Sequence, residues 1–313
     1  MTASAISRFI TAPDGLRLHV REYGERCSRH LPVVCLPGLS RTAEDFEVLA
    51  TAVASDAATP RRVLALDYRG RGLSEWDRNP NNYAIPVELA DVIAVVVALA
   101  AAPAIFIGTS RGGLLAMALA AHRPAALAGV VLNDIGPVIE GQGLMRIKGF
   151  IGKLPEPRSF EEGADILRRL AGSQFPNLGA AEWLATARRG WREKNGRLIP
   201  TYDPALAHNL AAISAEGPLA TMWPQFEALG RVPVMVIRGA NSDILSFETV
   251  DAMGARHPAM DVLVVPDQGH APLLVEPDII ASIRRFAEKC DAAHAAASQA
   301  PWQPHEAATV RSK

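Results

Sequence analysis

The sequence predicts an α/β protein with a mostly parallel sheet, because short buried strands alternate with helical segments along most of the chain. Two alternating segments near the start flank Asp14-Gly15, which predicts an antiparallel hairpin at one edge of the sheet. The hairpin brings the expected sheet to eight strands, with helices on both faces. The hairpin segments are Arg8–Thr11 and Leu16–Tyr23, and the six apolar runs typical of buried parallel strands are Val33–Leu36, Val63–Leu66, Ile105–Ile107, Val130–Leu132, Val234–Ile237 and Val262–Val265.

The strand pattern is interrupted once, between Asn133 and Arg231. Helical, amphipathic patterns fill this stretch. Ser159-Phe-Glu-Glu162 has the spacing of a capping box and predicts a helix through Leu170. A second helix is expected over Ala180–Asn195, where apolar residues recur at i, i+4 and i+8.

The return of the strand pattern after this stretch defines the expected domain organisation. Residues 135–231 are expected to form a helical cap inserted after the sixth strand, over a core made of residues 1–134 and 232–289. A separate domain packed elsewhere is the alternative. Residues 290–313 are rich in Ala, Gln, Ser and His with little periodicity, and a flexible tail is expected there.

Composition excludes several classes of protein. The 313 residues carry a formal net charge of -1 without charge runs, so neither nucleic acid nor an anionic membrane is an expected partner. Three scattered cysteines do not indicate a disulfide framework or a zinc site. The uncharged stretch Val92–Ile107 is divided by Pro103 and is shorter than the roughly 20 apolar residues that a membrane span needs. A cytoplasmic protein is expected, and a homodimer is its candidate assembly.

The pentapeptide Gly108-Thr-Ser-Arg-Gly112 has the G-x-S-x-G spacing of a serine nucleophile. An apolar strand precedes it and a small-residue helix follows it, which is the context that this motif requires. The serine must lie on a sharp turn between strand and helix, where side chains two residues away on either side would collide. We therefore expect Ser110 to be a nucleophile rather than an ordinary turn serine.

The other members of a catalytic triad are sought on later loops, in the order Ser, acid, His. Asp243 follows the strand Val234–Ile237, and His270 follows the next strand, so both are expected at the sheet edge that carries Ser110. Asp134 directly follows an earlier strand and is the alternative acid, or a carboxylate that supports the site. Asp243 is the preferred prediction.

Two backbone N–H groups are expected to stabilise an oxyanion. One belongs to Arg111, the residue after the nucleophile. The other is assigned to Leu39, since Gly38 allows the backbone to turn toward the site after the first parallel strand. An ordinary glycine turn is the alternative for this segment.

Over Ile6 to Lys289 the sequence resembles the α/β-hydrolase superfamily. Four stretches carry the resemblance: Leu36-Pro-Gly-Leu39, Asp67-Tyr-Arg-Gly-Arg-Gly-Leu-Ser74, Gly108-Thr-Ser-Arg-Gly-Gly113, and Gly269-His-Ala-Pro272 with Asp243 upstream. The chain is most similar to the capped bacterial carboxylesterases and carbon–carbon bond hydrolases. Many relatives have His where this chain has Pro37, but a backbone donor does not depend on that side chain. Arg69 and Arg71 are expected to be structural.

The resemblance implies an α/β-hydrolase fold and a hydrolase that forms an acyl-enzyme without a metal or cofactor. A carboxylic ester hydrolase for small to medium apolar esters is the preferred function. Hydrolysis of the C–C bond of ring-fission products, or of an enol lactone, uses the same residues and stays an alternative. A ligand-binding receptor on a hydrolase scaffold is the alternative from another class. Apolar residues of the cap are the candidates for the substrate pocket: Met145, Phe150, Trp191 and Trp223.

Overall fold

The computed structural model describes residues 4–211 and 219–299, and it contains the expected eight-stranded sheet. The strands of the described residues are β1 (Ile6–Thr11), β2 (Arg17–Tyr23), β3 (Val33–Leu36), β4 (Val63–Asp67), β5 (Ala104–Thr109), β6 (Leu127–Asn133), β7 (Trp191–Lys194), β8 (Arg197–Pro200), β9 (Val234–Gly239) and β10 (Asp261–Val265). The spatial order of the large sheet is β1-β2-β4-β3-β5-β6-β9-β10, and β7 and β8 form a separate hairpin.

Helices cover both faces of this sheet. The α-helices of the described residues are α1 (Glu47–Ala54), α2 (Ile85–Ala98), α3 (Arg111–His122), α4 (Gly141–Phe150), α5 (Phe160–Ala171), α6 (Ala180–Gly190), α7 (Trp223–Glu227), α8 (Phe247–Arg256) and α9 (Pro277–Gln299). Short 3-10 helices lie at Ala43–Phe46, Pro80–Tyr83, Pro124–Ala126, Pro204–Leu210 and Ala228–Arg231. Apolar residues of α2, α3 and α8 pack on one face of the sheet, and those of α1 and α9 pack on the other.

Strand direction brings the candidate residues to one edge. The pairs β1–β2 and β2–β4 are antiparallel, as the opening hairpin predicts, and every other pair in the large sheet is parallel. The loops after β3, β5, β6, β9 and β10 therefore leave the sheet at the same end. Because β5 lies between β3 and β6, a residue in the turn after β5 is within reach of the loops on both sides.

The insertion after β6 contains α4, α5 and α6, followed by the β7–β8 hairpin. The helix expected over Ala180–Asn195 is confirmed as far as Gly190 and is wrong over its last five residues, because α6 ends there. Asn195 and Gly196 have φ angles of 53° and 73° and form the turn of the hairpin. Asn-Gly is the strongest two-residue hairpin signal, and here it outweighs the helical spacing of the apolar residues.

Backbone hydrogen bonds join this insertion to the loop after β4. Gly72 N–H donates to the carbonyl of Thr201 at 2.7 Å, and Asp203 N–H donates to the carbonyl of Gly70 at 2.7 Å. The Tyr83 hydroxyl donates to the Asp203 carboxylate at 2.5 Å. The insertion is therefore fixed to the core at this side.

The C-terminal helix is longer than the sequence indicates. α9 continues through Gln299, and the side chain of Cys290 is fully buried against the sheet, so residues 290–299 do not belong to a tail. Asp291 accepts hydrogen bonds from Arg61 at 3.0 and 2.6 Å, which attaches this part of the helix to the core. The rest of the expected tail, residues 300–313, lies outside the described residues. In the described ranges, no helix combines the length and apolarity needed to cross a membrane.

Candidate active site

Ser110 lies in the turn between β5 and α3 with φ 51° and ψ -113°. A non-glycine residue adopts a positive φ only at a cost, and such strain is concentrated at functional sites. The flanking glycines are required by space. A Cβ on Gly108 would lie 2.4 Å from the nitrogen of Gly113, and a Cβ on Gly112 would lie 2.0 Å from the carbonyl oxygen of Leu36. The sharp turn presents the Ser110 hydroxyl at the N-terminus of α3, where developing negative charge is favoured.

A chain of hydrogen bonds starts at Ser110. Its Oγ lies 2.8 Å from Nε2 of His270, and Nδ1 of His270 lies 2.8 Å from Oδ2 of Asp134. The Asp134 side chain is completely buried, and that of His270 is largely buried. When Nδ1–H donates to the carboxylate, Nε2 has a lone pair for the serine proton. This arrangement can generate a serine nucleophile.

The Asp134 carboxylate is held by two further donors. Gly239 N–H donates to Oδ1 at 2.8 Å, and the Ser242 hydroxyl donates to Oδ2 at 2.6 Å. Asp134 has a φ of 56°, and its own N–H donates to the carbonyl of Ile237 at 2.7 Å. The neighbouring strand β9 therefore fixes both the backbone and the carboxylate of Asp134.

The structure corrects the expectation that Asp243 contacts His270. Both oxygens of Asp243 accept from Arg146 of α4, at 2.6 and 2.9 Å. Burial alone would raise the pKa of Asp243, but hydrogen bonds from Arg146 and the positive charge of that residue lower it below its ordinary value. The physical reason for the difference is that β6 and β9 are adjacent, so either strand can place a carboxylate next to the histidine. The loop after β9 directs Ser242 toward Asp134 and Asp243 toward the cap.

The turn after β3 lies beside Ser110, where the oxyanion loop is expected. A Cβ on Gly38 would be 3.9 Å from Cβ of Ser110, which shows how closely the two backbones approach. The Gly38 carbonyl accepts from Arg41 N–H at 3.2 Å. In a trans peptide the N–H points opposite to the carbonyl, so Leu39 N–H points away from Arg41.

Buried charges support both expected N–H donors. Arg71 Nε donates to the carbonyl of Leu39 at 2.8 Å, and its Nη1 donates to Glu88 at 2.6 Å. The other oxygen of Glu88 accepts from Nε of Arg111 at 2.5 Å. Arg71 and Glu88 are completely buried. One carboxylate therefore connects the turn after β3 with the first residue of α3, and Arg69 is likewise paired with carboxylates.

The hydrogen-bond chain opens into a cavity of about 250 Å³ between core and cap. Phe150 and Trp191 line this cavity, as expected. Met145 and Trp223 are not among the residues that line it. Trp223 instead packs against the core, with the Arg256 guanidinium 3.9 Å from its ring centre. Amphipathic spacing indicates that a residue is buried, but it does not distinguish a pocket wall from a helix–core contact.

Sequence reasoning missed the charges in this cavity. Arg41, Asp45, Arg146 and Arg189 all line it. Arg41 and Asp45 are four residues apart after β3, and only the fold brings Arg146 and Arg189 to the same cavity. Among residues 4–211 and 219–299 there is no group of three or more His, Cys, Asp or Glu side chains placed to hold a metal ion.

Comparison with known proteins agrees with the fold. A family model described as alpha/beta hydrolase family matches residues 33–283. A 3-hydroxybutyrate-oligomer hydrolase from Cupriavidus necator is 33% identical over 304 residues, covering 91% of this chain and 99% of the relative. A 2-(acetamidomethylene)succinate hydrolase from Mesorhizobium japonicum is 27% identical over 242 residues, covering 77% and 82%.

A solved structure supports the same assignment. The crystal structure of an alpha/beta hydrolase from Novosphingobium aromaticivorans has a TM-score of 0.85 and 40% identity, covering 92% of this chain and all of the other. The match to the family model spans well over half of the chain, and the relatives include proteins named as hydrolases and esterases. This protein belongs to the α/β-hydrolase family.

Proposed function

We propose that this protein hydrolyses carboxylic esters, with Ser110 as nucleophile, His270 as general base and Asp134 as the acid that orients the histidine. The observation that carries the proposal is the continuous hydrogen-bond chain from the Ser110 hydroxyl through His270 to a buried carboxylate, at 2.8 Å for each step. Ser110 is at a strained turn at the edge of a substrate-sized cavity, which is where such a chain can act on a carbonyl.

In the proposed reaction, His270 takes the Ser110 proton as the serine oxygen attacks the ester carbonyl. The N–H groups of Leu39 and Arg111 bind the oxyanion of the tetrahedral intermediate. The intermediate collapses to an acyl-enzyme, and His270 returns its proton to the leaving alcohol. Water activated by His270 then hydrolyses the acyl-enzyme and regenerates Ser110. Asp134 stays ionised and stabilises the imidazolium in both half-reactions.

Hydrogen bonds to the neighbouring carbonyls and side chains support the assignment of the two oxyanion donors. The carbonyls before and after Leu39 N–H are both engaged, by Arg41 N–H and by the Arg71 guanidinium, so the peptide has a fixed orientation. Arg111 is held through Glu88 and also donates to the carbonyl of Tyr83 at 2.6 Å. Donors that are fixed before the reaction need no reorganisation when charge develops.

We further propose short oligoesters of 3-hydroxy acids as the substrate class. The cavity wall near Ser110 is largely apolar, with Phe150, Trp191 and Leu273 among its residues. Such a wall suits the methyl-bearing chain of a hydroxybutyrate ester. The 33% identical relative is named as a hydrolase of 3-hydroxybutyrate oligomers, and the match covers nearly all of it.

The test is turnover by the pure protein of p-nitrophenyl esters of increasing acyl length, the 3-hydroxybutyrate dimer and a ring-fission dienone. We expect turnover of the dimer and of short p-nitrophenyl esters, with a loss of at least about 10⁴-fold in Ser110→Ala. Ester rates equal to those of Ser110→Ala would refute the proposal. Faster turnover of the dienone than of every ester would establish C–C bond hydrolysis instead, and binding without turnover would favour a receptor.

A further inference from the structure

Two arginines in the cavity wall share one carboxylate. Nε and Nη2 of Arg41 donate to Asp45 at 2.6 and 2.5 Å, and Nε of Arg189 donates to Oδ1 of Asp45 at 3.0 Å. Arg41 and Asp45 follow β3 in the core, whereas Arg189 ends α6 in the cap. This cluster, the Arg41–Asp45–Arg189 cluster, lines the same cavity as Ser110 and His270 and has a formal charge of +1.

The cluster retains unused hydrogen-bond donors. In the described part of the chain, Nη1 of Arg41 and Nη1 of Arg189 have no protein acceptor. Burial opposes the charge on Arg41, but the attraction of Asp45 prevails and raises the pKa of its guanidinium above the ordinary value. Both side chains are partly exposed, 31% and 24%. Two permanently charged guanidinium groups with free donors in the wall of a largely apolar cavity suit a planar anion.

The cluster begins close to the nucleophile. Cγ of Arg41 and Cβ of Ser110 lie 3.4 and 3.9 Å, respectively, from the point where a Cβ on Gly38 would be. The Arg41 side chain therefore leaves the backbone beside Ser110, on the wall of the cavity that both residues line. In an oligoester of a 3-hydroxy acid, the terminal carboxylate is separated from the last ester oxygen by only two carbon atoms. A substrate of this kind therefore carries its charge close to the ester group that Ser110 would attack.

Trp191 provides an independent observation. Its Nε1 is buried and has no hydrogen-bond partner among the described residues, yet the residue lines the cavity. Cε3 and Cζ3 of its ring face Gly163, so the N–H edge is on the other side of the ring. A buried N–H without an acceptor is unfavourable, and an oxygen of a bound substrate would satisfy it. Trp191 is two residues from Arg189, at the same end of the cap.

We propose that Arg41 and Arg189, held in place by Asp45, bind the free carboxylate of the substrate. The enzyme then prefers esters whose alcohol part carries a free carboxylate over neutral esters. This inference rests on the proposed ester hydrolysis and deepens it. Asp45 fixes the two guanidinium groups, and the positive excess of the cluster supplies the attraction. Cleavage then releases a hydroxy acid from the carboxylate end of the chain.

The test compares the 3-hydroxybutyrate dimer with its terminal carboxamide, which has the same shape without the charge. We expect the wild-type protein to have a kcat/KM for the acid at least about tenfold above that for the amide, and Arg189→Gln to reduce this ratio about ten- to a hundredfold. Arg189→Lys should retain part of the preference. Arg188→Gln is the matched control, because Arg188 is exposed on the same helix and packs over Phe160.

A ratio near one in the wild-type protein, or an equal ratio in Arg189→Gln and Arg188→Gln, would overturn the inference. A binding experiment separates this outcome from failure of the proposed function. In Ser110→Ala protein, calorimetry with 3-hydroxybutyrate should give a Kd that weakens about tenfold or more on adding Arg189→Gln. Weakened binding without ester turnover in the wild type would refute the hydrolysis alone. Unchanged binding would refute the carboxylate site alone.

Discussion

Replacing Asp134 with Asn tests the identity of the triad acid. The carboxylate receives three donors: Nδ1–H of His270 and the Ser242 hydroxyl at Oδ2, and Gly239 N–H at Oδ1. An amide has one oxygen and one NH₂ group. If the amide oxygen still accepts from Gly239 N–H, the NH₂ group faces Nδ1 of His270. Because that group donates, Nδ1 must accept, and the imidazole then carries its proton on Nε2. In that tautomer His270 cannot accept the proton of Ser110.

The expected magnitude follows from this change of tautomer. Asp134→Asn should lower kcat by about 10⁴-fold while leaving KM within a few-fold, as loss of the triad acid does in other serine hydrolases. That loss corresponds to about 5 kcal/mol of transition-state stabilisation. The assay is steady-state hydrolysis of p-nitrophenyl butyrate, with thermal melts to show that each variant is folded.

Asp243→Asn is the matched comparison, because it makes the same chemical change in the loop after β9, the strand next to β6. Asp243 contacts Arg146, and both side chains are partly exposed, so the pair contributes about 0–1 kcal/mol to stability. We expect less than a tenfold change in kcat for a neutral ester. A loss of several orders of magnitude in Asp243→Asn, with Asp134→Asn close to the wild type, would refute the assignment.

Three further predictions concern the scaffold. Glu88→Gln should lower kcat more than it raises KM and destabilise the fold by about 3–5 kcal/mol, because it breaks a buried ion pair behind both proposed oxyanion donors; a folded variant with wild-type kinetics would contradict this. Gly112→Ala should cost about 3 kcal/mol or more in denaturant melts, since its Cβ would lie 2.0 Å from a carbonyl oxygen of β3, whereas Gly141→Ala, with nothing within 4 Å, should be tolerated. Burial would raise the pKa of Asp291, but its bonds to Arg61 lower it below the ordinary 3.8, so the carboxylate stabilises the fold above that value and loses this effect as the pH falls through the lowered pKa. Asp291→Asn should therefore be less stable than the wild type in urea melts at pH 7, and an equal difference at pH 3 would contradict the reasoning.

Much of the fold could be predicted because it depends on local patterns. The buried strands, the opening hairpin and the insertion after β6 follow from the period and length of apolar runs, and the structure confirms them. The position of Ser110 beside His270 follows from motif context and strand order. Apolar periodicity, turn residues and motif context all indicate the same features, so these can be predicted without knowledge of tertiary contacts.

The features that were not predicted depend on contacts between distant segments. The choice between Asp134 and Asp243 is made by the path of one loop after β9, which no periodicity records. The end of α6 at Gly190 depends on competition between helical spacing and a two-residue turn. Asp45 pairs with Arg41 four residues away and also with Arg189 of the cap, which is 144 residues away in the sequence. Such arrangements are properties of packing rather than of local sequence.

The position of Asp134 has a consequence for engineering the specificity of this protein. The expected cap begins at residue 135, so both Ser110 and Asp134 precede it and are fixed by β5, β6 and the backbone of β9. Most of the insertion could be exchanged for that of a relative without moving Ser110 or Asp134, provided that the junctions lie after Gly136 and before β9. The backbone bonds of Thr201 and Asp203 to the loop after β4 would have to be carried over, since they attach the insertion to the core. A library of chimeras built on these junctions would vary the substrate while keeping one hydrolytic centre.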